Sequence, residues 1–83
     1  MNKQCFPLYV GNLDKELNEQ ILYNTFSAYG PLYSVKIMKH MLTKESWGFG
    51  FVNFLHADDA LRARQALNNT VIIKNKLLVC SKI

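Results

Sequence analysis

Eight residues, Trp47-Gly48-Phe49-Gly50-Phe51-Val52-Asn53-Phe54, limit what this chain can fold into more than any other stretch. They are rich in aromatic residues and read as a strand. Successive side chains of a strand point to opposite faces. Trp47, Phe49, Phe51 and Asn53 therefore share one face, and Gly48, Gly50, Val52 and Phe54 the other. Both faces carry rings, and only one can be the core. Val52 and Phe54 suit the core, which turns Trp47, Phe49 and Phe51 toward water. A row of exposed rings is costly unless a partner covers it. Flat rings on a sheet surface are what unpaired nucleobases stack on.

With 83 residues, 49% of them apolar, the chain has material for one domain with a modest core. It has no apolar run near the roughly 20 residues that span a bilayer. Its first residues, Met1-Asn2-Lys3-Gln4, lack the hydrophobic stretch of a secretory signal. The expectation is a soluble protein of the cell interior, folded over about residues 6–82. The net charge of +4 is unevenly placed. Asp14, Glu16, Glu19, Asp58 and Asp59 fall near two expected helix starts, where acids suit the helix dipole. Lys3, Lys36, Lys39, Lys44, Lys74, Lys76 and Lys82 fall in expected strands and their loops, which makes the sheet side basic. Cys5 and Cys80 are too few for a zinc site and read as reduced thiols. They flank the first and last strands, so their sulfurs are expected to lie fairly close.

Around the central strand the periodicities give a simple order. Residues 7–13 read as a short strand with Leu8 and Val10 inward and Tyr9 outward. Asn18 caps a helix reaching about Tyr29, with Ile21, Leu22 and Phe26 as its buried stripe and Gly30-Pro31 as its stop. Leu32 to Lys39 alternates, placing Val35 and Ile37 inward and Lys36 and Met38 outward. Residues 40–46 form a polar-leaning loop, and a second helix fits 57–67 with Ala60, Ala63 and Leu67 inward. Val71-Ile72-Ile73 reads as a short β piece, and 77–81 as a last strand, with Leu77 and Val79 inward favoured over the opposite phase that puts Leu78 and Cys80 inside. Two interleaved β-α-β units then give an α+β, ferredoxin-like βαββαβ sandwich: a four-stranded antiparallel sheet with both helices on one face. The first and third strands lie side by side in its centre, so Tyr9 lands beside Phe49 and Phe51.

These residues resemble the RNA recognition motif. Leu8-Tyr9-Val10-Gly11-Asn12-Leu13 looks like the family's hexamer, and residues 47–54 match seven of eight positions of its octamer. The resemblance implies a domain that binds single-stranded RNA. Tyr9 and Phe51 would stack bases, Phe49 would pack against sugars, and Asn12 and Asn53 would offer hydrogen bonds. Lys36, Lys39 and Lys44 would meet phosphates, with Met38, Ser81 and Lys82 also at the RNA site. Trp47 departs from the pattern, because the octamer normally opens with a cation. It would stack on a further base or cover a loop.

A narrower resemblance is to the first such motif of cytoplasmic poly(A)-binding proteins. It rests on Pro7-Leu8-Tyr9-Val10-Gly11, Leu22-Tyr23, Phe26-Ser27, Gly30-Pro31 and Met41-x-Thr43-x-x-Ser46-x-Gly48 before the octamer. It implies an adenine-rich strand as ligand, tandem domains, a monomer, a protein partner such as a translation initiation factor, and a cytoplasmic or nuclear place in mRNA metabolism. That branch usually carries an aromatic residue where this chain has Ser81.

Other functions find less support. There is no Gly-rich phosphate loop entering a helix, no nucleophile beside a base and no cluster of metal ligands, so neither an enzyme nor a cofactor is expected. His40 and His56 lack partners for metal or acid–base work. The competing reading is a protein-binding module that uses the sheet or the helix face, where Arg62 and Arg64 could meet an acidic partner.

Overall fold

A computed structural model describes residues 5–68, 72–73 and 76–82; the side chains of Ile72, Ile73, Leu77 and Lys82 lie outside that description. The chain forms β1 (Phe6–Gly11), α1 (Glu19–Phe26), a single 3-10 turn (Ser27–Tyr29), β2 (Leu32–Lys39), β3 (Ser46–Phe54), α2 (Ala57–Leu67), β4 (Ile72–Ile73), β5 (Lys76–Leu77) and β6 (Val79–Lys82). Strands β2, β3, β1 and β6 make one antiparallel sheet in that order, so β1 and β3 are central. The short β4 and β5 pair as a separate hairpin. This is the ferredoxin-like arrangement expected from the periodicities.

The helices form where local chemistry supports them. Asn18 is extended, and its Oδ1 accepts from the Ile21 N–H at 3.0 Å, satisfying one orphan donor at the start of α1. The regular helix ends at Phe26, earlier than expected, and the 3-10 turn carries the chain on to Gly30. His56 caps α2 by backbone geometry alone, with no side-chain bond. One core joins the layers. Leu8 and Val10 of β1, Val52 and Phe54 of β3 and Ile37 of β2 pack under Leu22 and Phe26 of α1 and Ala60, Ala63 and Leu67 of α2. Phe26 and Phe54 meet edge to face with centroids 6.4 Å apart. Each such fully buried side chain contributes about 1.5–3 kcal/mol.

Two expectations are corrected. In β6 the phase is the reverse of that expected: Leu78 and Cys80 are buried, and Val79 and Ser81 face the other way. Residues paired across a ladder share a face, and Cys80 pairs with Val10 while Ser81 pairs with Tyr9. The Cys80 N–H also donates to Asn68 Oδ1 at 2.8 Å, tying β6 to the end of α2. The same register separates the cysteines. Cys80 lies opposite Val10, five positions along β1 from Cys5, which is roughly 17 Å at about 3.4 Å per residue. Both thiols are free.

Lys39 is turned toward α1. It shares the helix side of β2 with Ile37, and its Nζ lies 3.4 Å from Glu19 Oε1 on α1. Partial burial pushes the Glu19 carboxyl up. Hydrogen bonds from its own and the Ile37 backbone N–H, with the Lys39 charge, outweigh this and hold it below the usual range.

Candidate nucleic-acid interface

The open face of the sheet carries two transverse rows set by the register. Across the middle run Lys36, Phe51, Tyr9 and Ser81, one from each strand; beside them run Ser34, Asn53 and Pro7. Tyr9 and Phe51 are direct cross-strand partners, with ring centroids 6.1 Å apart and planes at 68°. Phe49 completes a triangle, 5.8 Å from Tyr9 and 6.1 Å from Phe51. All three are half-buried, on the face opposite the core residues Leu8, Val10, Val52 and Phe54 that pack under the helices. The alternation read from residues 47–54 therefore holds for Phe49, Phe51, Val52, Asn53 and Phe54.

Tyr9 lies low on the sheet because Gly11 follows two residues later on the same face. A β-carbon at Gly11 would come within 2.6 Å of the Tyr9 Oη and 2.9 Å of Cε2 and Cζ. The missing side chain is thus the seat of the ring. A glycine two residues after an outward aromatic residue on a strand was the available signal for this.

Trp47 reaches the platform by a distortion. Ile37 pairs with Gly50 and Lys39 with Ser46, so Met38 alone faces Trp47, Gly48 and Phe49. This is a β-bulge, and Gly48 takes φ 85° within it, a value that suits glycine. The Gly48 carbonyl accepts from the Leu13 N–H at 2.9 Å, and its N–H donates to Ser46 Oγ at 3.0 Å. The Trp47 ring then stands 6.3 Å from Phe49 at 37° and is 57% exposed. Next to it, the 40–45 loop closes on His40. The His40 N–H donates to the Glu45 carbonyl, and His40 Nδ1 accepts from the Leu42 and Thr43 N–H groups. Met41 and Leu42 project from its tip, 83% and 84% exposed.

The remaining candidates divide. Lys36 is exposed beside Phe51, and Met38 is half-buried at the bulge. Asn53 is held by a bond from its Nδ2 to Ser34 Oγ at 2.9 Å, a partner that sequence reasoning missed. Asn12 is exposed at the end of β1 with φ 57°, and Ser81 is exposed opposite Tyr9. Lys39 is turned to Glu19 of α1. Lys82 pairs with Leu8, a register position of the helix side; its side chain lies outside the described residues. Among the described residues no group of three or more His, Cys, Asp or Glu is placed to hold a metal, and no helix is long and apolar enough to cross a membrane.

Residues 8–78 match the RNA recognition motif. The chain belongs to that family. Solved members superpose closely on this RNA recognition motif. A two-domain Sex-lethal structure from Drosophila melanogaster is 34% identical, with a TM-score of 0.88 over 93% of this chain and 48% of that one. A Sex-lethal protein–RNA complex is 32% identical, with a TM-score of 0.89 over 96% and 47%. The second RNA recognition motif of the yeast poly(U)-binding protein Pub1 is 29% identical, with a TM-score of 0.85 over 94% and 93%. This chain thus spans about half of the Sex-lethal chains and nearly all of the single Pub1 domain.

Proposed function

We propose that this RNA recognition motif binds single-stranded RNA by stacking one base on Tyr9 and a neighbour on Phe51, with Phe49 against the sugars between them. Family membership and the RNA-bound neighbour support RNA as the ligand class. The observation that carries the reading is the Tyr9–Phe51 pair itself, two aromatic residues in register at the centre of a sheet face that both helices leave open. Base–aromatic stacking is worth about 1–3 kcal/mol per base. Trp47, exposed next to Phe49, extends the row for a further base, and Lys36 supplies a phosphate contact beside Phe51.

The preferred strand is adenine-rich. Besides the likeness to poly(A)-binding domains, Asn53 supports this. Its bond to Ser34 uses one amide hydrogen and leaves the other, with Oδ1, beside Phe51. A donor and an acceptor side by side match the N6–H and N7 edge of adenine. Ser81 adds a hydroxyl but no ring opposite Tyr9, so the stack is shorter on that side. Competition of oligo(A), oligo(U) and oligo(C) for the purified domain tests both parts. Oligo(A) is expected to compete best, and Asn53→Leu to narrow its lead. A lead for oligo(U) would reverse the base assignment; no competition by any of the three would remove the platform reading.

A further inference from the structure

On the side of β1 away from the rings, an open cleft of about 260 Å³ lies between the start of β1 and the first turns of α2. Phe6, Leu8, Ala60 and Leu61 give it an apolar lining, and Asp58 and Arg64 give it charge. An apolar cavity of roughly 150 Å³ already holds benzene, so this cleft has room for a branched or aromatic side chain. Leu61 borders it 46% exposed.

The two arginines of α2 differ. Arg62 is exposed and satisfied, reaching both the Asp59 carboxylate and the Tyr29 carbonyl. Arg64 is half-buried. Its Nε is shut off from water with no hydrogen-bond partner, and among the described residues no carboxylate pairs with it. It lines the cleft together with Phe6 and Leu8 of β1, so it sits between α2 and the sheet. The guanidinium is half-buried beside the apolar lining, where an anion is attracted more strongly than in open water. Asp58 stands six positions back along α2, roughly 9 Å at about 1.5 Å per residue. The cleft is therefore polarised, with a cation at one end and an anion at the other.

We propose that this cleft docks the C-terminal residue of a partner polypeptide. The apolar side chain of that residue enters between Phe6, Leu8 and Leu61, its free carboxylate pairs with Arg64, and its N–H faces Asp58. An internal acidic residue fits less well. Neighbouring side chains of an extended peptide point opposite ways, so an acid next to the anchoring side chain would point out of the cleft. A terminal carboxylate belongs to the same residue as the side chain it accompanies. Leu8 and Tyr9 face opposite sides of the sheet, so this site is separate from the rings and adds to the RNA-binding reading without depending on it.

The test is a chemical-shift titration of the isotope-labelled protein with N-acetyl-leucine, N-acetyl-leucinamide and N-acetyl-Leu-Asp-amide. N-acetyl-leucine is expected to move the resonances of Phe6, Leu8, Leu61 and Arg64, and to bind about tenfold more tightly than either amide, as one charge-assisted hydrogen bond implies. Arg64→Gln should bring it down to the level of the amides. Leu61→Asp, at an exposed helix position, should abolish the response while leaving the rest of the spectrum in place, and it serves as the test if Arg64→Gln does not fold. Equal binding of acid and amide, an equally tight Leu-Asp-amide, or no response confined to the cleft would each overturn the proposal. The resonances of Tyr9, Phe49 and Phe51 should stay still throughout, so failure here leaves the RNA reading untouched.

Discussion

The ring of Tyr9 lies across the α-carbon of Gly11, close enough that a β-carbon there would meet the tyrosine Oη at 2.6 Å. The missing side chain of Gly11 thus leaves the room in which this ring lies low on the sheet. Gly11→Ala should lift the ring and weaken RNA binding by about 1–3 kcal/mol, the worth of one stacked base. The obstructed atoms belong to a ring that can swing outward, so the circular dichroism spectrum should stay native. Unchanged affinity in the alanine variant would show that the flat posture does not matter.

Phe51 and Phe54 stand three residues apart on β3 and face opposite ways. Phe54→Ala empties a fully buried site and should cost roughly 3–5 kcal/mol in denaturant unfolding. Phe51→Ala should leave stability nearly intact and lower RNA affinity by about 1–3 kcal/mol. Equal loss of stability in both variants would contradict the division of faces.

Salt dependence should separate the lysines. Lys36 stands in the row with Phe51, whereas Lys39 is engaged by Glu19. Lys36→Ala should reduce the dependence of affinity on salt, and Lys39→Ala should leave it unchanged. Trp47→Lys restores the cation usual at that place and should steepen the slope by about 0.7, one single-strand phosphate contact. A slope indifferent to Trp47→Lys would remove the claim that a cationic contact is missing there.

The two thiols should react at very different rates. Burial pushes the Cys80 thiol from 9.0 up to about 11, against the lowering effect of Arg64, while Cys5 is only half-buried. Iodoacetamide at pH 8 is therefore expected to label Cys5 in the native protein and Cys80 only on unfolding, read by mass spectrometry. The folded state favours the neutral thiol. Its contribution to stability is whole below about pH 9 and is lost as pH rises toward about 11. Rapid native labelling of Cys80 would contradict the β6 register.

Much of this was legible because period and chemistry agreed. Glycines and Asn53 mark which rings of β3 can be core, Asn18 is a good cap before an apolar stripe, and Ala60, Ala63 and Leu67 fall on one side of a helix. Legibility failed where the pattern carried no contrast. Leu77, Leu78, Val79 and Cys80 are all apolar, so alternation could not choose a phase, and the pairing with β1 decided it. The charge of Lys39 suggests the ligand face, whereas its place after Ile37 and Met38 puts it with the helices; a carboxylate on α1 makes that position habitable. The bulge at Gly48 depends on how many residues β2 sets against β3, which no single strand reveals.

The strict alternation along β1 has a consequence for what kinds of change the gene can absorb. Substitutions act on one face at a time, since Leu8 answers to the core and Tyr9 to the open face of the sheet. Inserting or deleting a single codon inside Phe6–Gly11 would exchange the two sets of side chains at a stroke. Such length variants would lose solubility and recognition together, so diversification of this strand must proceed by replacement alone.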